Sequence, residues 1–208
     1  MRISITILSF LLLTVIAIDN NRASFAVDAE ISTPQSIARE AARRKQLAQD
    51  LDRLERQRQL PAIVSVFKQR TSQERANRLA YLCYETTIDT PFKPIDLAEI
   101  ALAETGGHGL SGKAVSSRGA VGVWQLMPVR ARSHGYAPAE MNRDDKCAVA
   151  AVKELKTKLE MAGGNLAVAK RLYCGTGKQA RDYDVKIRKY RSEILGIMAR
   201  IEVASQGS

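Results

Sequence analysis

The sequence is short of the residues that build sheets and metal centres. Aromatic residues make up 5% of 208 positions. No stretch alternates β-branched and aromatic residues with polar ones over the length of a strand. That shortage excludes an extensive sheet and points to an all-α fold. Only two histidines occur, His108 and His134, each beside glycine in loop sequence and read as a free surface residue. The three cysteines, Cys83, Cys147 and Cys174, form no CxxC pair, which argues against structural zinc. No metal and no cofactor is expected. Beyond Ile18 no segment is apolar enough to span a bilayer.

Positive charge is abundant: the formal net charge is +10. An anionic partner is implied, whether nucleic acid, a membrane surface or an acidic wall polymer. The first residues narrow that choice. Arg2 precedes an apolar run from Ile3 to Ile18, followed by Ser24-Phe25-Ala26, with small residues where a signal peptidase reads. Residues 1–26 read as a signal peptide, with an uncleaved anchor as the alternative. The chain is then expected to be exported, to the periplasm or the wall side. An exported protein rarely meets nucleic acid, so no nucleic-acid partner is expected. Nor is stable membrane insertion expected once the signal is cleaved.

Residues 27–61 read as a charged helical arm. Thr33-Pro34 is an N-cap followed by proline at the first helical position. Leu47, Leu51 and Leu54 form a narrow apolar stripe on an otherwise charged helix, and Pro61 is read as its end. The arm is a solvated appendage, or it meets a partner along that stripe. From Ala62 to Ser208 apolar density rises, and helical patterns recur in "ANRLAYLCYE", "IDLAEIALAE", Met141 to Met161, "NLAVAKRLY" and the basic closing segment. Thr105 to Gly122 consists of turn formers and reads as loop.

Two glycine motifs fail on context. Gly107, Gly109 and Gly112 spell GxGxxG, but the pattern follows a helix and continues into loop. A dinucleotide fingerprint follows a strand and opens a helix. Gly175-Thr176-Gly177-Lys178 lacks the earlier glycine of a phosphate-binding loop and has Gln179 where a hydroxyl is needed.

The chemistry centres on Glu104. Leu97, Ile100 and Ala101 stand seven, four and three residues before it, so Glu104 ends an apolar helical stripe. A carboxyl facing a core or cleft loses water, which favours its neutral form and suits it to general acid catalysis. The bland alternative is a glutamate ending its helix in solvent.

The surroundings of Glu104 resemble the soluble lytic transglycosylases, bacterial wall enzymes with a goose-type-lysozyme-like helical fold. Three ordered motifs carry the resemblance over roughly Arg75 to Arg191: Glu104-Thr105, then Ser116-Ser117-Arg118-Gly119-Ala120-Val121-Gly122-Val123-Trp124-Gln125-Leu126-Met127-Pro128, then Tyr173-Cys174-Gly175 with Tyr183 after it. The resemblance implies that Glu104 alone is acid and then base in cleaving the β-1,4 bond after N-acetylmuramic acid, forming a 1,6-anhydro ring. It makes Thr105, Ser116, Gly122, Trp124, Gln125, Tyr173 and Tyr183 cleft residues, with Trp124 offering a flat face to a sugar. Peptidoglycan strands are the implied substrate, and a secretion or conjugation apparatus a possible partner. Cysteine placement is similar to that of transglycosylases attached to type IV secretion systems, which implies a Cys83–Cys147 disulfide; Cys147–Cys174 is the alternative pair. Cys174 stands where the family has Asn. Two further readings are an inert wall-binding scaffold and a lysozyme-type hydrolase, which needs two carboxylates. Glu140, Asp144 and Asp145 lie in a separate segment.

Overall fold

The computed structural model describes residues 33–175 and 177–207, the side chains of Lys178 and Gln179 apart. The expected signal peptide lies outside them. The chain divides into two units, Met1–Arg44 and Lys45–Ser208. In the first, Thr33 caps helix α1 (Pro34–Lys68) by accepting the Ser36 N–H at 3.2 Å. Glu40 and Arg44 pair across one turn, in full exposure.

Helix α1 does not end at Pro61, contrary to the sequence reading. Proline removes one helical hydrogen bond, but here it is exposed and both flanks are anchored. On one side the buried Arg56 guanidinium donates to Thr87 O at 2.8 Å and Phe92 O at 2.6 Å. Gln59 accepts the Ile95 N–H at 3.0 Å, and beyond the proline Ile63, Val66 and Phe67 are fully buried. The second unit therefore holds α1 well before Ala62. Leu47, Leu51 and Leu54 stand more than half exposed.

The rest is α2 (Gln73–Thr87), α3 (Pro94–Thr105), α4 (Pro128–Ser133), α5 (Asp144–Met161), α6 (Leu166–Cys174) and α7 (Lys178–Gln206). Short 3-10 turns cover Gly106–His108 and Pro138–Asn142. Among the described residues extended pairing is limited to isolated bridges, Val115 with Val121 and Val121 with Leu126. The fold is all-α. Helix α3 is its axis: it packs against α2, α5 and α7, and every residue from Pro94 to Leu102 is buried. An apolar helix buried all round is a core helix, not a surface one.

Two sequence readings fail in the second unit. Cys83 and Cys147 are separate buried thiols, not a disulfide. The Cys147 sulfur faces the loop after α3, 3.9 Å from Val121 O, so it packs under that loop. Burial pushes its thiol up to about 12. His134 is not a free surface residue either: its Nε2 lies 2.8 Å from the Glu154 carboxylate, which Lys158 also pairs at 3.2 Å.

Candidate active site

Glu104 occupies the last turn of α3, one residue before the helix gives way to the Gly106–His108 turn. It is part-buried and makes no ion pair among the described residues. Burial pushes its carboxyl up to about 7, against a smaller downward pull from the Tyr183 hydroxyl and Lys186. Tyr183 is 4% exposed, and its hydroxyl completes no hydrogen bond of good geometry among the described residues. It nonetheless lies near enough to Glu104 for a weak hydroxyl–carboxyl interaction to lower the Glu104 pKa. Burial and the facing Glu104 in turn push the Tyr183 phenol upward.

A wall stands beside this carboxyl, built by the loop from Ser111 to Met127. Thr105 fixes its base: the buried hydroxyl donates to Val123 O at 2.8 Å. Trp124 fixes its middle, with its indole N–H donating to Leu97 O at 3.0 Å. Tyr173, from α6, donates its hydroxyl to Trp124 O at 2.9 Å. Two helices, α3 and α6, are thus tied to one short turn by three hydrogen bonds, which set the position of Glu104 relative to the loop.

The turn itself demands glycine at one place. Gly122 has φ +86°, and an added Cβ would come within 2.1 Å of Met141 O and 2.7 Å of the Cys147 sulfur. No side chain fits there. Gln125 adopts φ +51° without being glycine, and its amide donates to Gly122 O at 2.8 Å, closing the turn. Ser116 accepts the Ala120 N–H at 3.0 Å through its Oγ.

These contacts correct several expected roles. Trp124 is fully buried and offers no face to a sugar; an indole set in apolar "GVWQLM" gains more by filling the core. Thr105 is 1% exposed and its hydroxyl is spent on the loop backbone. Gly122 is buried and serves close packing, and Ser116 and the Gln125 amide nitrogen serve the turn. Tyr173 is part-buried, with its hydroxyl committed to Trp124 O. What gathers at Glu104 is Tyr183, Tyr173, Cys174 and Lys186. Burial and then Glu104 push the Cys174 thiol upward, while Lys186 and Arg118 pull the other way. Sequence reasoning missed Lys186; its place three residues after Tyr183 on a basic helix was the available signal.

Other carboxylates near the loop are already neutralised. Asp144 is held by Arg75 at 2.8 Å and Arg78 at 2.7 Å, Asp145 by Arg143 at 2.8 Å, and Glu140 by Lys146. Sequence reasoning also missed a buried charge cluster on α3. Asp96 and Glu99 meet Lys170 of α6 and Arg191 of α7, with Lys170–Asp96 at 2.6 Å and Arg191–Glu99 at 2.9 Å. Among the described residues, no group of three or more His, Cys, Asp or Glu side chains is placed to hold a metal ion. Compared with known proteins, the chain matches no protein-family model, no curated protein and no solved structure.

Proposed function

We propose that the protein is an exported peptidoglycan lytic transglycosylase with a goose-type-lysozyme-like fold, in which Glu104 is acid and then base. One observation carries this reading: Glu104 is a part-buried carboxyl without an ion pair among the described residues, poised near pH 7 beside a loop fixed to its own helix. A carboxyl half-protonated near neutrality can both give and take a proton.

The reaction needs one such group. Glu104 gives its proton to the glycosidic oxygen between N-acetylmuramic acid and N-acetylglucosamine as the C1–oxygen bond breaks. The carboxylate then takes the proton of the muramoyl C6 hydroxyl, whose oxygen bonds to C1. The anhydro ring closes, Glu104 is reprotonated and no water is consumed. A hydrolase would need a second carboxylate to activate water, whereas Asp144, Asp145 and Glu140 are each tied to a cation. Lys186 favours the carboxylate that forms after the first transfer.

Digestion of purified peptidoglycan by the wild-type protein and by Glu104→Gln tests the proposal, with muropeptides read by mass spectrometry. Anhydro ends from the wild type alone are expected. Reducing ends would make the protein a hydrolase. Sedimentation with the wall and no release would make it an inert scaffold, the reading that Cys174 in the family's Asn position favours.

A further inference from the structure

A second site is lined by residues other than those gathered at Glu104. A cleft of about 690 Å³ opens between α2, the Gly109–Lys113 segment and the start of α5. Glu104, Tyr173 and Tyr183 do not line it. Its ionised lining is lopsided: Arg75, Arg78, Lys113 and Arg143 face Asp144 and Asp145, a net of +2.

The six groups have different freedom. Arg75 is spent, giving two hydrogen bonds to Leu110 O and two to Asp144. With Asp144, 7% exposed, it forms the floor. Arg78 touches that floor through one nitrogen at 2.7 Å and is otherwise 61% exposed. Lys113 is exposed, and no ion pair among the described residues engages it. Arg143 is 58% exposed, and among the described residues its ion pair is with the equally open Asp145. Leu82 adds an apolar wall, and the backbone of Gly109 and Gly112 leaves the mouth open. The approach of Gly112 is tight: a Cβ there would stand 2.7 Å from Asp144 Oδ1.

We infer that this cleft binds the carboxylates of a short acidic peptide, the stem attached to the muramoyl sugar. The inference rests on the transglycosylase reading. Several separated cations around an apolar wall suit an extended ligand with more than one carboxylate better than a single compact anion. Reach agrees: the chain is helical from Glu104 to His108 and rises no more than about 2 Å per residue there, so the Gly109 Cα lies about 10 Å from that of Glu104. A stem of four or five residues, extended, covers about 15 Å. A sugar seated at Glu104 thus carries a peptide long enough to enter the cleft. Charge at the cleft then selects peptide-bearing strands over bare glycan.

Calorimetric titration of the full protein with a free stem tetrapeptide, released from the wall by an amidase, tests this without turnover. Binding is expected to weaken about 3- to 10-fold in Lys113→Glu, and further in Arg78→Gln/Lys113→Glu. It should also weaken when salt is raised from 0.15 to 1 M. Lys113→Glu alters an exposed side chain, so it tests the site even if the double variant folds poorly. Equal affinity for the peptide with its carboxylates amidated, equal affinity for inorganic phosphate, or an unchanged Lys113→Glu would overturn the inference. The second arm compares anhydro-product release from intact and peptide-stripped glycan, with the intact polymer expected to be preferred. Equal release from both would count against the cleft alone. No anhydro product from either would overturn the transglycosylase reading, and the titration would still report on the cleft.

Discussion

Glu99 and Glu104 sit on the same helix, five residues and about 140° of helical turn apart. Burial is the main cause that pushes each carboxyl upward. Their neighbours then diverge. Glu99 is fully buried between Lys170 and Arg191, which favour its charged form, while Asp96 beside it shares both cations. Glu104 has a distant lysine and a phenol. One helix therefore carries a structural carboxylate, answered by charge, and a carboxyl whose proton is available. Desolvation alone does not single out a candidate acid; desolvation without a counter-ion does.

Exchanging the two acids for amides should separate the roles most sharply. Glu104→Gln removes the proton donor and should lower anhydro-product formation by about 10²- to 10⁴-fold. Glu99→Gln should leave that rate nearly intact well below its melting temperature. Its cost falls on stability, because Lys170 and Arg191 keep their charge with less to answer it. A loss of about 3–5 kcal/mol is expected, read as a drop of roughly 10 °C in thermal unfolding. Equal loss of activity in two equally stable variants would end the distinction.

The sequence revealed one of these acids and hid the other, for a physical reason. Glu104 was legible because Leu97, Ile100 and Ala101 align with it on one helix face. Glu99 lies off that stripe, and nothing in its local sequence marks it. Its burial depends on Lys170 and Arg191, 71 and 92 positions later, and no local pattern announces such a pairing. The helical class and most helix positions followed from periodicity and glycine stops, which are local signals. Pro61 misled because its effect was outweighed by Arg56 and Gln59 binding backbone more than thirty residues away. Trp124 misled because a motif match assigned it to a surface, whereas its indole N–H had a buried carbonyl to satisfy.

The burial of Glu104 also makes stability depend on pH. Its carboxyl titrates near 7 when folded and near 4.5 ordinarily, so the folded protein binds the proton more tightly. That contribution is complete below about pH 4.5 and is lost as pH rises through 7. The most it can amount to is about 3 kcal/mol. Glu104→Gln lacks the titration. Chemical unfolding of both proteins from pH 4 to 8 should show the wild type losing stability relative to the variant across that window. Parallel profiles would mean that Glu104 titrates at the same pH folded and unfolded, so that burial does not hold its proton.

The smallest expected effect tests how Tyr183 acts on Glu104. Its hydroxyl lowers the Glu104 pKa without completing a hydrogen bond of good geometry. Tyr183→Phe removes that pull and keeps the ring, which fills the core at 4% exposure. Stability should change by less than about 1 kcal/mol, because the buried hydroxyl has no well-formed bond to lose. The pH–rate profile should move instead. In the proposed reaction turnover requires protonated Glu104, so the limb that falls as pH rises should shift to higher pH in the variant. A shift to lower pH would mean that the phenol stabilises the neutral acid. No shift, with a lower rate throughout, would mean that Tyr183 contacts the glycan and leaves Glu104 alone.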